Sequence, residues 1–124
     1  MAVNSFRDLR VWQGGMDVVE DIYHLTASFP KHEIFGLASQ MRRAAVSVPS
    51  NIAEGHTREH TKEYLHHLSM AHASLAELET QLEIARRLSY VPADRFGELL
   101  ERLWSLGRQL YSLRNALLKS TVRP

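Results

Sequence analysis

The sequence predicts an all-α fold, an antiparallel up-and-down four-helix bundle. Two observations carry this. Four stretches place apolar residues three and four apart, the spacing of a helix that buries one stripe. Three short breaks separate the stretches: Phe29-Pro30-Lys31-His32, Glu54-Gly55-His56-Thr57 and Val91-Pro92-Ala93-Asp94, which carry the Gly and Pro that punctuate secondary structure. No stretch alternates with period two for long enough to read as a strand. The spacing predicts helices over 8–28, 33–54, 60–89 and 93–118 in one domain spanning 1–124. Short connections between such helices favour antiparallel neighbours.

The first stretch carries Leu9, Trp12, Met16, Val19 and Tyr23 as its expected seam, and Gly14 and Gly15 weaken it as a helix. The second carries Ile34, Leu37, Met41, Ala44, Val48 and Ile52. Pro49 sits inside that pattern, and its missing N–H is expected to bend or end the helix near Ala45 to Val48. The third carries Tyr64, Leu68, Ala71, Leu75, Leu78, Leu82 and Ala85. The fourth has the clearest pattern, with Phe96, Leu99, Leu103, Leu106, Leu110, Leu113 and Leu117 forming a heptad seam. Pro92 is well placed for the first turn of this last helix.

Composition narrows the function classes. With 124 residues the chain has the size of one ordinary domain. It has no cysteine, which excludes a disulfide framework, a cysteine nucleophile and cysteine-ligated metal centres. No apolar run approaches the ~20 residues that span a bilayer. The start, MAVNSFRDLRVW, lacks the apolar core of a signal peptide, so a cytoplasmic protein without a membrane partner is expected. Net charge is +1, which argues against a uniformly basic coat. No nucleophile elbow, phosphate loop or dinucleotide fingerprint is present, and no catalytic residue or cofactor is expected.

Two helices carry more apolar residues than one stripe needs. The fourth has a second line of Leu100, Trp104, Tyr111 and Leu118, and the first has Val11, Val18, Ile22 and Leu25. Exposed lines of this kind mark a partner surface, with a second copy of the chain as the default partner; the alternative is that a small bundle uses wide apolar faces and buries these residues internally. The candidate interface is therefore Val11, Val18, Leu25, Leu100, Trp104, Tyr111 and Leu118. Beside the second helix's seam runs a polar line, Gln40, Arg43, Ser47, Asn51 and Glu54, with a counterpart in Ser74, Glu77 and Gln81 on the third. If the lines face each other, Arg43 is expected to pair with Glu77, and Asn51 to cap or bridge backbone groups near Pro49. Such a network fixes register more than it adds stability.

Charge is unevenly placed. Residues 102–124 hold Arg102, Arg108, Arg114, Lys119 and Arg123 and no acid, whereas residues 63–101 hold seven acids against three bases. With Arg42, Arg58 and Lys62 the C-terminal cations are candidate contacts for RNA or DNA phosphates. Five of the seven histidines fall between His56 and His72, and Glu63 with His66 fits one Glu-x-x-His element of a di-iron bundle. The seam through Tyr64 and Leu68 turns that pair to solvent and its companions are missing, so no metal site is expected.

The run QMRRAAVSVPSNIAEG, Gln40 to Gly55, resembles the signature of bacterial four-helix-bundle proteins first noticed as reading frames within intervening sequences of 23S rRNA genes. FRDLRVWQ at Phe6 to Gln13, Phe29-Pro30 with Glu33, Phe35, Gly36 and Leu37, and SLAELETQL at Ser74 to Leu82 agree with it. The resemblance covers roughly positions 5 to 118. It implies an up-and-down bundle assembled as a ring-shaped homopentamer, similar to the accessory protein of diversity-generating retroelements, which binds nucleic acid. It supplies no catalytic residue. Gly14 and Gly15 depart from the family's usual pattern.

Overall fold

A computed structural model describes residues 5–122 of the chain. Four helices follow one another: α1 (Arg10–Thr26), α2 (Leu37–His56), α3 (Thr61–Arg87) and α4 (Ala93–Val122). Single 3-10 turns at Phe6–Asp8 and Lys31–Glu33 precede α1 and α2. Among the described residues there is no strand, and no helix is long and apolar enough to cross a membrane. Each helix packs on its neighbours in sequence and α1 closes the square against α4. Contacts run in opposite order along neighbouring helices. Arg42 reaches Thr26 while Pro49 lies over Gly15, and Ser47 meets Ser74 while Asn51 meets His67. The arrangement is therefore antiparallel, up and down. Arg123, counted above among the C-terminal cations, lies outside the described residues.

Three helices bury the seams the spacing predicts. Met41, Ala44, Val48 and Ile52 on α2, Leu68 to Ala85 at helical spacing on α3, and Leu99, Leu103, Leu106 and Leu110 on α4 form one core. On α1 the expectation holds only in part. Val11, Val18, Ile22 and Leu25 are the fully buried line, Leu9, Trp12 and Val19 of the expected seam pack partly buried against it, and Met16 and Tyr23 are exposed. Gly15 explains the choice. It lies on the same helical face as Val11, Val18 and Ile22, and that face presses onto Pro49. A Cβ on Gly15 would stand 3.3 Å from Pro49 Cβ and 3.4 Å from its ring nitrogen. Gly14 lets the same helix approach α4, where an added Cβ would meet Leu106 Cδ1 at 3.3 Å. The two glycines weaken α1 locally, yet they admit it between α2 and α4.

Pro49 does not end α2. The helix runs through it to His56, with the ring buried in the space that Gly15 leaves. The start of α2 lies four residues beyond the expected position 33, because residues 33–36 are used to cap it. Glu33 folds back from the 3-10 turn and its Oε1 accepts the Leu37 N–H at 3.1 Å, while its Oε2 accepts the Tyr90 hydroxyl at 2.9 Å. One carboxylate thus holds the helix start and the α3–α4 turn together. Ile34, expected on the seam, points outward instead. That α3–α4 turn is a Schellman closure: Ser89 takes φ 64°, its N–H donates to Arg86 O, and the Tyr90 N–H donates to Ala85 O. Pro92 lies just before α4 and accepts the Phe96 N–H. Asp21 on α1 receives both Arg95 and Arg102 of α4, clasping the remaining edge.

At Gly55, α2 comes close against α3. A Cβ there would stand 2.8 Å from His67 Cβ and 3.3 Å from the Tyr64 carbonyl oxygen. Gly55→Ala should therefore widen the α2–α3 crossing and cost about 1–3 kcal/mol as overpacking, read from the urea midpoint. An unchanged midpoint would show that the crossing relaxes freely.

Both hydrogen bonds to Glu33 favour its charged form and hold its pKa below the ordinary 4.5, the backbone bond from Leu37 most. A carboxyl lowered in the folded state stabilises above its unfolded pKa and loses that contribution as pH falls through the folded value. The melting-temperature gap between wild type and Glu33→Gln should be constant above about pH 5 and shrink on acidification below the ordinary carboxylate range. A gap that stays constant into acid would refute this role.

Candidate functional site

Ser47, Asn51 and Glu54 of the motif face α3, whereas Gln40 and Arg43 are exposed, and the pairing differs from the expected one. Ser47 Oγ lies 2.9 Å from Ser74 Oγ. Asn51 Nδ2 donates to the Ser47 carbonyl at 2.9 Å and to Ser47 Oγ at 3.0 Å, so Asn51 bridges backbone close to Pro49, as expected. Its Oδ1 is left as an acceptor for His67 Nδ1 at 3.1 Å, which places the imidazole proton on Nδ1. Glu54 Oε2 lies 3.7 Å from the same nitrogen. His67, with a side chain 12% exposed, is a member of this lock that spacing alone did not single out. Arg43 and Glu77 do not form the expected ion pair. Glu77 accepts from Gln81 Nε2 at 3.2 Å, and Arg43 is exposed with no partner among the described residues. Gln40 is exposed. The motif is thus chiefly an α2–α3 register lock, with Gly55 setting the distance.

The candidate interface divides in two. Val11, Val18 and Leu25 lie in the chain's own core and are withdrawn from its surface. Trp104 and Tyr111 are 47% and 56% exposed, and Leu100 and Leu118 are half-buried. Trp104 is held in place by its Nε1, which donates to Glu79 Oε1 at 2.7 Å. With His72, Leu75, Leu103 and Gly107, Trp104 and Tyr111 line an open groove of about 610 Å³ between α3 and α4. A second apolar groove was not anticipated. It lies between α1 and α2, where Tyr23, Ile34, Phe35 and Val46 surround Arg42 and Arg43. Phe35 is 96% exposed. The spacing placed Ile34 on the core seam, which concealed this face; the adjacent Ile34-Phe35 ahead of Gly36 was the available signal.

The candidate phosphate contacts also separate. Arg42 is a structural cation, because its Nε donates to Thr26 Oγ1 at 2.8 Å and its guanidinium lies 4.6 Å from the Tyr23 ring centre. Arg102 is engaged by Asp21. Arg58 and Arg108 make exposed pairs with Glu63 and Glu101 at 3.9 and 3.5 Å, contacts that restrain a side chain weakly. Lys62, Arg114 and Lys119 are exposed and make no ion pair among the described residues. The antiparallel run brings the start of α3, and so Lys62, to the end of the molecule where α4 finishes. The start of α1 lies there too, with Arg10 beside Arg108 around a shared surface hollow. Glu63 and His66 are exposed, and among the described residues no group of three or more His, Cys, Asp or Glu is placed to hold a metal ion.

Fold and surface define a class of protein: an up-and-down helical bundle with a polar lock between its middle helices and apolar grooves open to solvent. The family model described as 23S rRNA-intervening sequence protein matches residues 7–112, and the chain belongs to that family. A solved structure of similar fold is a protein of unknown function from the S23 ribosomal protein family of Bacteroides thetaiotaomicron. Its TM-score is 0.79 at 19% identity, over 85% of this chain and 95% of that one. A search of curated proteins gives no match.

Proposed function

We propose that this chain is a non-catalytic assembly subunit, a helical bundle that associates with copies of itself, in a ring of five as the family resemblance implies, and acts as a scaffold. The observation that carries this is the Trp104–Tyr111 groove. A pinned indole and a phenol ring stand half in water above Leu75 and Leu103. Aromatic side chains of this kind are the residue types enriched at the centre of protein interfaces, where burial repays their apolar area. A bundle that functioned alone would gain solubility from polar residues at these positions. Trp104→Glu should yield helical monomers by light scattering, with unchanged far-UV circular dichroism. An assembly of wild-type mass would defeat this reading.

A second reading is favoured by the free cations. Lys62, Arg114 and Lys119 share one end of the bundle without ion-pair partners among the described residues. Repeated around an assembly, they would present a multivalent basic rim to RNA or DNA phosphates. Replacing these three by Glu should abolish binding of fluorescent RNA and DNA oligonucleotides while the assembly mass is retained. Wild-type affinity should fall linearly with the logarithm of salt concentration. No wild-type binding even at low salt would leave the scaffold without a nucleic-acid partner.

A further inference from the structure

The α1–α2 and α3–α4 grooves lie on different faces and are unlike each other. In the square formed by the four helices, the α1–α2 edge is opposite the α3–α4 edge. The first edge carries a projection, because Phe35 stands 96% exposed on the turn ahead of α2 with Ile34 beside it. The opposite edge carries a recess, the open groove floored by Leu75 and Leu103 and walled by Trp104 and Tyr111. Their charges are also complementary. Arg43, which lines the first groove with Phe35, makes no ion pair among the described residues; in the recess Arg108 is paired with Glu101, whereas Glu79, which holds the Trp104 indole, makes no ion pair among the described residues.

We propose that Phe35 of one copy seats in the Trp104–Tyr111 recess of the next, so that copies join head to tail, the α1–α2 face of one against the α3–α4 face of its neighbour. This rests on the self-association reading above and names the two surfaces that meet. A projection and a recess on opposite faces of one molecule cannot satisfy each other within that molecule. They also cannot form a two-fold contact in which both copies use the same patch. The contact is heterologous, and every copy offers one of each element, the condition for a closed ring when the rotation between copies divides a full turn. Seating Phe35 would remove an almost fully exposed ring from water and bring Arg43 towards Glu79. The remaining wall, Tyr23 with Arg42 stacked on it, is held by the Arg42–Thr26 bond and needs no rearrangement.

The test uses two variants of the full chain, Phe35→Asp and Trp104→Glu, followed by light scattering of each alone and of an equimolar mixture. Phe35 contributes nothing to the core, so its replacement should leave helicity intact; Phe35→Ala provides a milder check. Each variant alone should be monomeric. Phe35→Asp retains a sound recess and Trp104→Glu retains a sound projection, so the mixture should form a heterodimer of two chains and grow no further. Two monomeric variants that remain monomers when mixed would overturn the proposal, as would a Phe35→Asp protein of wild-type mass. In that last case, a monomeric Trp104→Glu would keep self-association standing while removing Phe35 from the contact. A monomeric wild type would defeat self-association itself and this proposal with it.

Discussion

Close approach of α2 to both of its neighbours is the constraint from which the rest of the structure follows. On one side Pro49 presses on Gly15, and on the other Gly55 lets the backbone of α2 come against Tyr64 and His67. Buried alanines, Ala44 and Ala45 on α2 with Ala71 on α3, keep the intervening turns equally narrow. At such separations an added methylene has no free volume to enter, because protein interiors are packed to crystal density. The small residues therefore choose which faces meet. The large ones, Ile22, Met41, Ile52, Leu68 and Leu82, fill the interior those faces enclose.

The polar lock between α2 and α3 is a consequence of that spacing. Ser47 and Ser74 are short enough to bond across the crossing, and Asn51 and His67 extend the chain of bonds one turn further. Hydrogen bonds of this sort contribute modestly to net stability, but leaving one partner unmatched is costly. A slip of either helix by one turn would strand several donors at once. The motif therefore reads most simply as a device that selects one register. Gln81 Oε1 is the exception, a buried acceptor with no hydrogen-bond partner among the described residues.

The surface follows a different logic. Several cations that looked available in the sequence are used to hold helices together: Arg42 stacks on Tyr23, and Arg102 joins Arg95 around Asp21. The surface retains Trp104, Tyr111, Phe35 and Ile34, whose rings and branched chain would be better buried. A bundle this small has enough leucine and alanine to complete its own core. These additional apolar groups are therefore surplus to folding and available for association.

The sequence by itself determined the number of helices, their order and the core stripes of α2, α3 and α4, because a helical period of 3.6 residues projects directly onto spacing. It also carried the family signature and the α2–α3 polar lines. Only the tertiary structure decided which of two apolar lines on α1 faces inward. Both lines have the same period, and the choice came from a contact between Gly15 and Pro49, thirty-four positions apart. It also decided that Pro49 is accommodated within α2, that Glu33 caps the helix rather than beginning it, and that Phe35 projects into solvent. Each depends on what a residue meets across the bundle, and local spacing records only what it meets along its own helix.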